Sequence, residues 1–174
     1  LSASTTAPTN QDVIITAEIA DNVGLASKKW ASGDQTVEYF ASGGNLLTGN
    51  TFTVTENGIY TVYAKDTAGN EQIKTITISN IDKTPPEQPI VIADITKPTN
   101  LDVTLTINPP ADSVKTEYSI GNQSNWKVYS TPIVIKENTT IYARSWDEAG
   151  NVSSITQFTV DNIDKSPPIL EYSL

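Results

Sequence analysis

The feature that most constrains this chain is that it contains itself twice. Asp66-Thr67-Ala68-Gly69-Asn70 returns as Asp147-Glu148-Ala149-Gly150-Asn151, and Glu56-Asn57 returns as Glu137-Asn138, both displaced by 81 positions (66 to 147, 56 to 137). Ile81-Asp82-Lys83-Thr84-Pro85-Pro86 returns as Ile163-Asp164-Lys165-Ser166-Pro167-Pro168 at 82 (81 to 163), and Pro8-Thr9-Asn10-Gln11-Asp12-Val13 as Pro98-Thr99-Asn100-Leu101-Asp102-Val103 at 90 (8 to 98). Ordered recurrences of this kind mark an array of similar structural units, each with its own core. The expected modules are residues 1–83 and 87–166, joined by a short stiff hinge at 84–86 that holds Pro85-Pro86. Residues 167–174 then read as the start of a truncated third module, so the chain is expected to be a piece of a longer array.

The drift of the offset locates the insertions. Trp30 aligns with Tyr118 at 88 (30 to 118), and the loss from 88 to 81 assigns seven extra residues to the first copy, expected near 42–50. Ser42-Gly43-Gly44-Asn45 has the composition of a loop. Between the turns, side chains alternate with a period of two, which places neighbours on opposite faces of a strand. Val13, Ile15, Ala17 and Ile19 form one such face, Tyr60, Val62 and Ala64 another, with Thr61, Tyr63 and Lys65 facing away. The second copy repeats this in Val103, Leu105 and Ile107, in Ile141, Ala143 and Ser145, and in a strand expected from Val152 to Val160. Six or seven short strands in about 85 residues predict an all-β chain of two tandem immunoglobulin/fibronectin-III-like antiparallel β-sandwiches. Trp30 and Tyr118 are the expected central core aromatics.

Composition closes off several chemistries. The 174 residues include no Cys and no His, which removes thiolate and imidazole metal sites, Cys- or Ser-His nucleophile systems and disulfides. A bound metal would be a hard cation held by oxygen. With 20 acidic and 11 basic side chains, net charge −9, a phosphate-binding surface is not expected, which argues against nucleic acid as the main partner. No apolar run reaches the length of a membrane span, so membrane insertion is not expected, and the residues from Leu1 lack the pattern of a signal peptide. Glu56 and Glu137 recur, but before Asn in a turn, where solvated carboxylates are ordinary, so no enzyme is expected.

Ala20-Asp21-Asn22-Val23-Gly24, Tyr63-Ala64-Lys65-Asp66-Thr67-Ala68-Gly69-Asn70 and Ile81-Asp82-Lys83-Thr84-Pro85-Pro86 resemble the bacterial immunoglobulin-like repeats of exported and cell-surface proteins. The resemblance covers nearly the whole chain, twice. It implies an extracellular place, at a bacterial surface or secreted, and a role as a spacer or stalk that projects a functional domain, as in adhesins and S-layer-associated proteins. Neighbouring modules of the same chain are the implied partners. The alternatives are an adhesive module that binds cell-wall polysaccharide or a host protein, and an accessory module of a secreted polysaccharide-degrading enzyme.

Two groups of residues carry the site expectations. Some repeats of this family hold calcium between modules. The topology of the fold would bring Asp82 toward the loops that carry Asp112 and Asp147, leaving Asp21, Asp66 and Asp164 as half-sites toward missing modules. The competing role is structural, because Asp in a turn accepts hydrogen bonds from the backbone N–H groups that follow it. Trp126 and Trp146 are the candidate ligand-binding aromatics; they have no close counterpart in the first copy apart from Tyr39. Packing on neighbouring strand residues is their ordinary alternative.

Overall fold

The computed structural model describes residues 1–171, so Tyr172, Ser173 and Leu174 of the expected third-module strand lie outside the described residues. The chain divides into two compact units, Leu1–Lys83 and Thr84–Leu174. The first contains β1 (Ser2–Ala3), β2 (Val13–Thr16), β3 (Leu25–Ser32), a 3-10 helix (Glu38–Ala41), β4 (Asn45–Leu46), β5 (Thr51–Val54), β6 (Gly58–Asp66) and β7 (Glu71–Ile78). The second contains β8 (Ile90–Ala93), β9 (Val103–Asn108), β10 (Lys115–Ile120), β11 (Lys127–Val128), β12 (Ile133–Ile135), β13 (Thr139–Trp146) and β14 (Thr156–Val160). Among the described residues no helix is long and apolar enough to cross a membrane.

The strands form antiparallel sheets of order β1-β2-β5 and β4-β3-β6-β7 in the first unit, and β8-β9-β12 and β11-β10-β13-β14 in the second. Each strand of one unit thus has its equivalent in the other. Both sheets of a unit contribute to one apolar cluster. In the first, Val13, Ile15, Phe52 and Val54 meet Tyr60, Val62 and Ile78; in the second, Val91, Val103, Leu105, Ile133 and Ile135 meet Ile141, Ala143 and Val160. The alternation read from the sequence explains this, since Val13 and Ile15 are fully buried while Ile14 between them is 46% exposed.

Three sequence expectations need correction. Trp30 and Tyr118 are only partly buried and flank the clusters: Trp30 stacks on Phe52 at 4.3 Å, and Tyr118 meets Tyr129 edge-on at 6.4 Å. The last strand of the second unit starts at Thr156, because Ser153 turns inward, its hydroxyl accepting from the Ser145 N–H at 2.9 Å, and Val152 is left in a lone bridge to Trp146. Finally, β6 is buried on both faces from Tyr60 to Tyr63. The inserted segment is the reason. Its residues ahead of β4, which itself pairs with β3 as β11 does with β10, fold into the 3-10 helix and seat Phe40, 1% exposed, on the outward face of β6. Gly44 makes this possible: its φ is +83°, and a Cβ there would stand 2.6 Å from the Phe40 ring.

Candidate functional site

The outward faces of the two four-stranded sheets are the most differentiated surfaces of the chain. β6 and β13 are equivalent strands, so Tyr63 and Arg144 occupy the same position (63 to 144 is again 81). In the first unit the Tyr63 ring stacks under Phe40 at 4.9 Å, and its hydroxyl donates to Glu71 Oε1 at 2.7 Å. Lys65 pairs with the same carboxylate at 3.1 Å. The Tyr63 hydroxyl and the Lys65 ammonium hold the Glu71 carboxyl below its ordinary value. Burial and the bond to Glu71 push the Tyr63 phenol up to about 12.

In the second unit the same place is ionic. The Arg144 guanidinium lies 4.0 Å from the Trp126 ring centroid and 5.2 Å from that of Trp146, and Lys115 Nζ lies 4.5 Å from the Trp146 centroid. Arg144, Trp146 and Lys115 converge on Glu117, while the Trp126 indole N–H donates to the Gln123 carbonyl at 2.9 Å. Arg144 Nη2 reaches Oε2 at 2.9 Å, Trp146 Nε1 donates to Oε2 at 3.0 Å, and Lys115 reaches Oε1 at 3.0 Å. Burial alone would raise the Glu117 carboxyl, but hydrogen bonds from Lys115, Trp146 and Arg144 outweigh it and hold the carboxyl below its usual value. The two tryptophans proposed from sequence are therefore brought together around one arginine. Phe40, not Tyr39, is the counterpart of Trp126, since each covers the equivalent residue of the central strand. A sugar ring stacking on either tryptophan would compete with a cation already on that ring.

The aspartates fall into two sets. Asp66 ends β6 and Asp147 directly follows β13, and the two build the same turn twice. The Asn70 N–H donates to Asp66 Oδ1 at 2.8 Å and its side-chain amide to Oδ2 at 2.6 Å; Asn151 does the same to Asp147, both at 2.8 Å. The Asn70 side-chain amide, and after it the Asn70 N–H, holds the Asp66 carboxyl below its ordinary value. Asp21 accepts from the N–H groups of Val23 and Gly24, each at 2.8 Å. Asp112 lies exposed in the turn that follows Pro110. As the topology predicts, this turn adjoins the Asp147 loop, the Val114 N–H donating to the Trp146 carbonyl at 2.8 Å; in the first unit Thr67 and Gly24 make the corresponding link at 3.0 Å. Within either unit, among the described residues, no three carboxylates converge as a metal site. The carboxylate oxygens of Asp21, Asp66 and Asp147 instead accept the hydrogen bonds that shape their own turns.

Asp82 and Asp164 belong to an arrangement the sequence repeats announce but do not explain. Residues 8–13 and 80–83 form a clasp. Thr9 and Ile81 make a parallel bridge, with Thr9 N–H to Asn80 carbonyl and Asp82 N–H to Thr9 carbonyl, both 2.9 Å. Asn57 grips Ile81 from both sides, donating to its carbonyl at 2.7 Å and accepting from its N–H at 2.9 Å, and Lys83 meets Asp12 at 2.6 Å. The second unit repeats each contact with Thr99, Ile163, Asn138, Lys165 and Asp102. The recurrent Glu-Asn dipeptide was thus a signal for Asn57 and Asn138. Asp164 closes the turn that follows, accepting from Ser166 N–H at 2.9 Å.

No family model matches the chain, and no curated protein is similar to it. Among solved structures it is similar to fibronectin(III)-like modules of Clostridium thermocellum CbhA, at 12% identity over 99% of this chain and 98% of that one, TM-score 0.42. It is also similar to murine CEACAM1b, at 13% identity over 93% of this chain and 96% of that one, TM-score 0.41. Scores this low place no functional residue.

Proposed function

We propose that the chain is a pair of tandem immunoglobulin-like β-sandwich modules serving as a non-catalytic spacer in an exported bacterial surface or secreted protein. The observation that carries this reading is where each unit takes in and releases the chain. Leu1 lines the same recess as Asp66 and Asn70, toward the far end of β6, while Ile81 is held by Asn57, just before β6 begins. Those ends are separated by the length of a nine-residue strand, about 27 Å at ~3.3 Å per residue. In the second unit Pro89 is bonded to Thr156, which pairs with Ala143 three residues short of the end of β13, and Ile163 is held by Asn138, just before β13 begins. A unit whose ends lie at opposite poles adds its length to whatever it joins.

The repeat resemblance favours the extracellular side. The two outward faces support a spacer over a glycan-binding module, because each is closed by its own side chains. In this reading the aspartates are turn anchors. The test is a surface-displayed reporter carried on this chain. Deleting one unit should shorten its reach, and exchanging both for unrelated sandwiches of equal length should leave display intact. If the exchange abolishes display although reach is retained, the units recognise something and the adhesive reading takes over. Calcium at ~100 Kd would stabilise by about 2.7 kcal/mol, so an unchanged melting temperature with millimolar calcium or chelator is the result expected of turn anchors.

A further inference from the structure

Asn57-Gly58 is the one Asn-Gly dipeptide in the sequence. Asparagine is a chemically labile residue, and the main-chain nitrogen that follows it is its nearest nucleophile. Glycine leaves that nitrogen least obstructed, because it has no Cβ and the widest backbone freedom. At the equivalent place in the second unit Thr139 follows Asn138, a β-branched residue that crowds the same nitrogen. The two asparagines otherwise hold the same position: each is exposed, directly precedes β6 or β13, and grips Ile81 or Ile163 by carbonyl and N–H. One clasp is therefore built around a labile carboxamide and its twin around a protected one.

We propose that Asn57 is a deamidation site that the clasp keeps unreacted, and that its conversion releases the clasp of the first unit alone. The reaction needs only water. The Gly58 nitrogen attacks Asn57 Cγ, the N–Cγ bond forms, the Cγ–Nδ2 bond breaks, and ammonia leaves with the Gly58 proton; water then opens the five-membered imide at either carbonyl, giving aspartate or isoaspartate. In the closed clasp the carboxamide is fixed on both sides, Nδ2 2.7 Å from the Ile81 carbonyl and Oδ1 2.9 Å from its N–H, and Gly58 is engaged opposite Ile78 in the β6–β7 ladder. Neither group is free to turn toward the other until the clasp opens locally. After conversion the clasp cannot close as before. A carboxylate has no N–H for the Ile81 carbonyl, which is left facing a second acceptor, and isoaspartate adds a methylene to the main chain at the start of β6. Deamidation also places one more negative charge beside Glu56, on a chain already at −9.

Incubating the full chain in mildly alkaline buffer, with and without denaturing urea, tests this by peptide mass mapping that separates aspartate from isoaspartate. In urea, conversion should concentrate at Asn57 and leave Asn138 behind. In the folded chain, conversion at Asn57 should be slower by at least about tenfold, the factor that about 1.4 kcal/mol of opening free energy supplies. Once Asn57 is converted, the Ile81 amide should exchange at least about tenfold faster while Ile163 keeps its rate, and of the two calorimetric transitions only that of the first unit should move down. Asn57→Asp should reproduce the faster exchange without incubation. Gly58→Thr, which copies Thr139 at a place where an added Cβ meets nothing within 4 Å, should abolish conversion, and Gly58→Ala should slow it. Folded-state conversion within that factor of the rate in urea, equal conversion at Asn57 and Asn138 in urea, or a converted protein with unchanged Ile81 exchange overturns the proposal. None of these outcomes bears on reach, so the display experiment is judged by itself.

Discussion

The two units use one strand framework and close the same outward face in opposite ways. In the first, Phe40 from the inserted segment stacks on Tyr63, and the face becomes a second small core with Ala31. In the second, with a loop six residues shorter (30 to 45 against 118 to 127), Arg144 replaces the tyrosine and contacts both Trp126 and Trp146 over Glu117. Burial of apolar area holds one face; cation–aromatic contact and a shared carboxylate hold the other. A framework of backbone pairs fixes where such a face lies, while the side chains at two or three positions choose the force that closes it.

The largest way to break this comparison is Phe40→Ala. Removing a fully buried aromatic costs about 3–5 kcal/mol, and the loss should fall on the first unit alone, seen in calorimetry as one of two transitions moving down. Next come Asn57→Ala and Asn138→Ala, which leave the N–H and carbonyl of Ile81 or Ile163 without their side-chain partner. Each should cost about 2 kcal/mol, and the costs should be equal within error because the clasp is the same in both units; unequal losses would show that the clasp carries different weight in each. Arg144→Ala should cost the second unit about 1–2 kcal/mol through the lost ring contacts and stem packing. Tyr63 sharpens the contrast most gently. A phenol raised from its unfolded value near ~10 contributes stability that is full below that pH and lost as pH climbs through about 12. The first transition should therefore fall relative to the second as pH climbs from about 10 towards about 12, and Tyr63→Phe should weaken that dependence while keeping the stack on Phe40, leaving the share of Tyr60, whose phenol is also raised by burial.

Much of the fold was legible beforehand. Period-two alternation in 13–17 and 103–107 named residues that are buried, because a strand has only two faces and one of them must leave water. The repeated Asp-x-Ala-Gly-Asn was readable as a turn, since its hydrogen bonds span four residues. The alternation misled at 60–63, where an insertion distant in sequence covers the face that period two assigns to solvent. Trp126 and Trp146 stood out by composition, yet Glu117, the carboxylate that organises them, gave no signal: an acid in a strand looks the same whether it faces water or three donors.

The sequence by itself determined that this chain repeats and which faces of 13–17 and 103–107 leave water, because repetition and alternation are local properties of the chain. Only the tertiary structure decided that residues 8–13 and 80–83 clasp each other through Asn57, that one outward face is apolar and the other ionic, and that Pro89 is buried with its carbonyl bonded to Thr156. Those outcomes depend on which strands become neighbours, a matter of register between segments up to about 75 residues apart, and no local pattern records it.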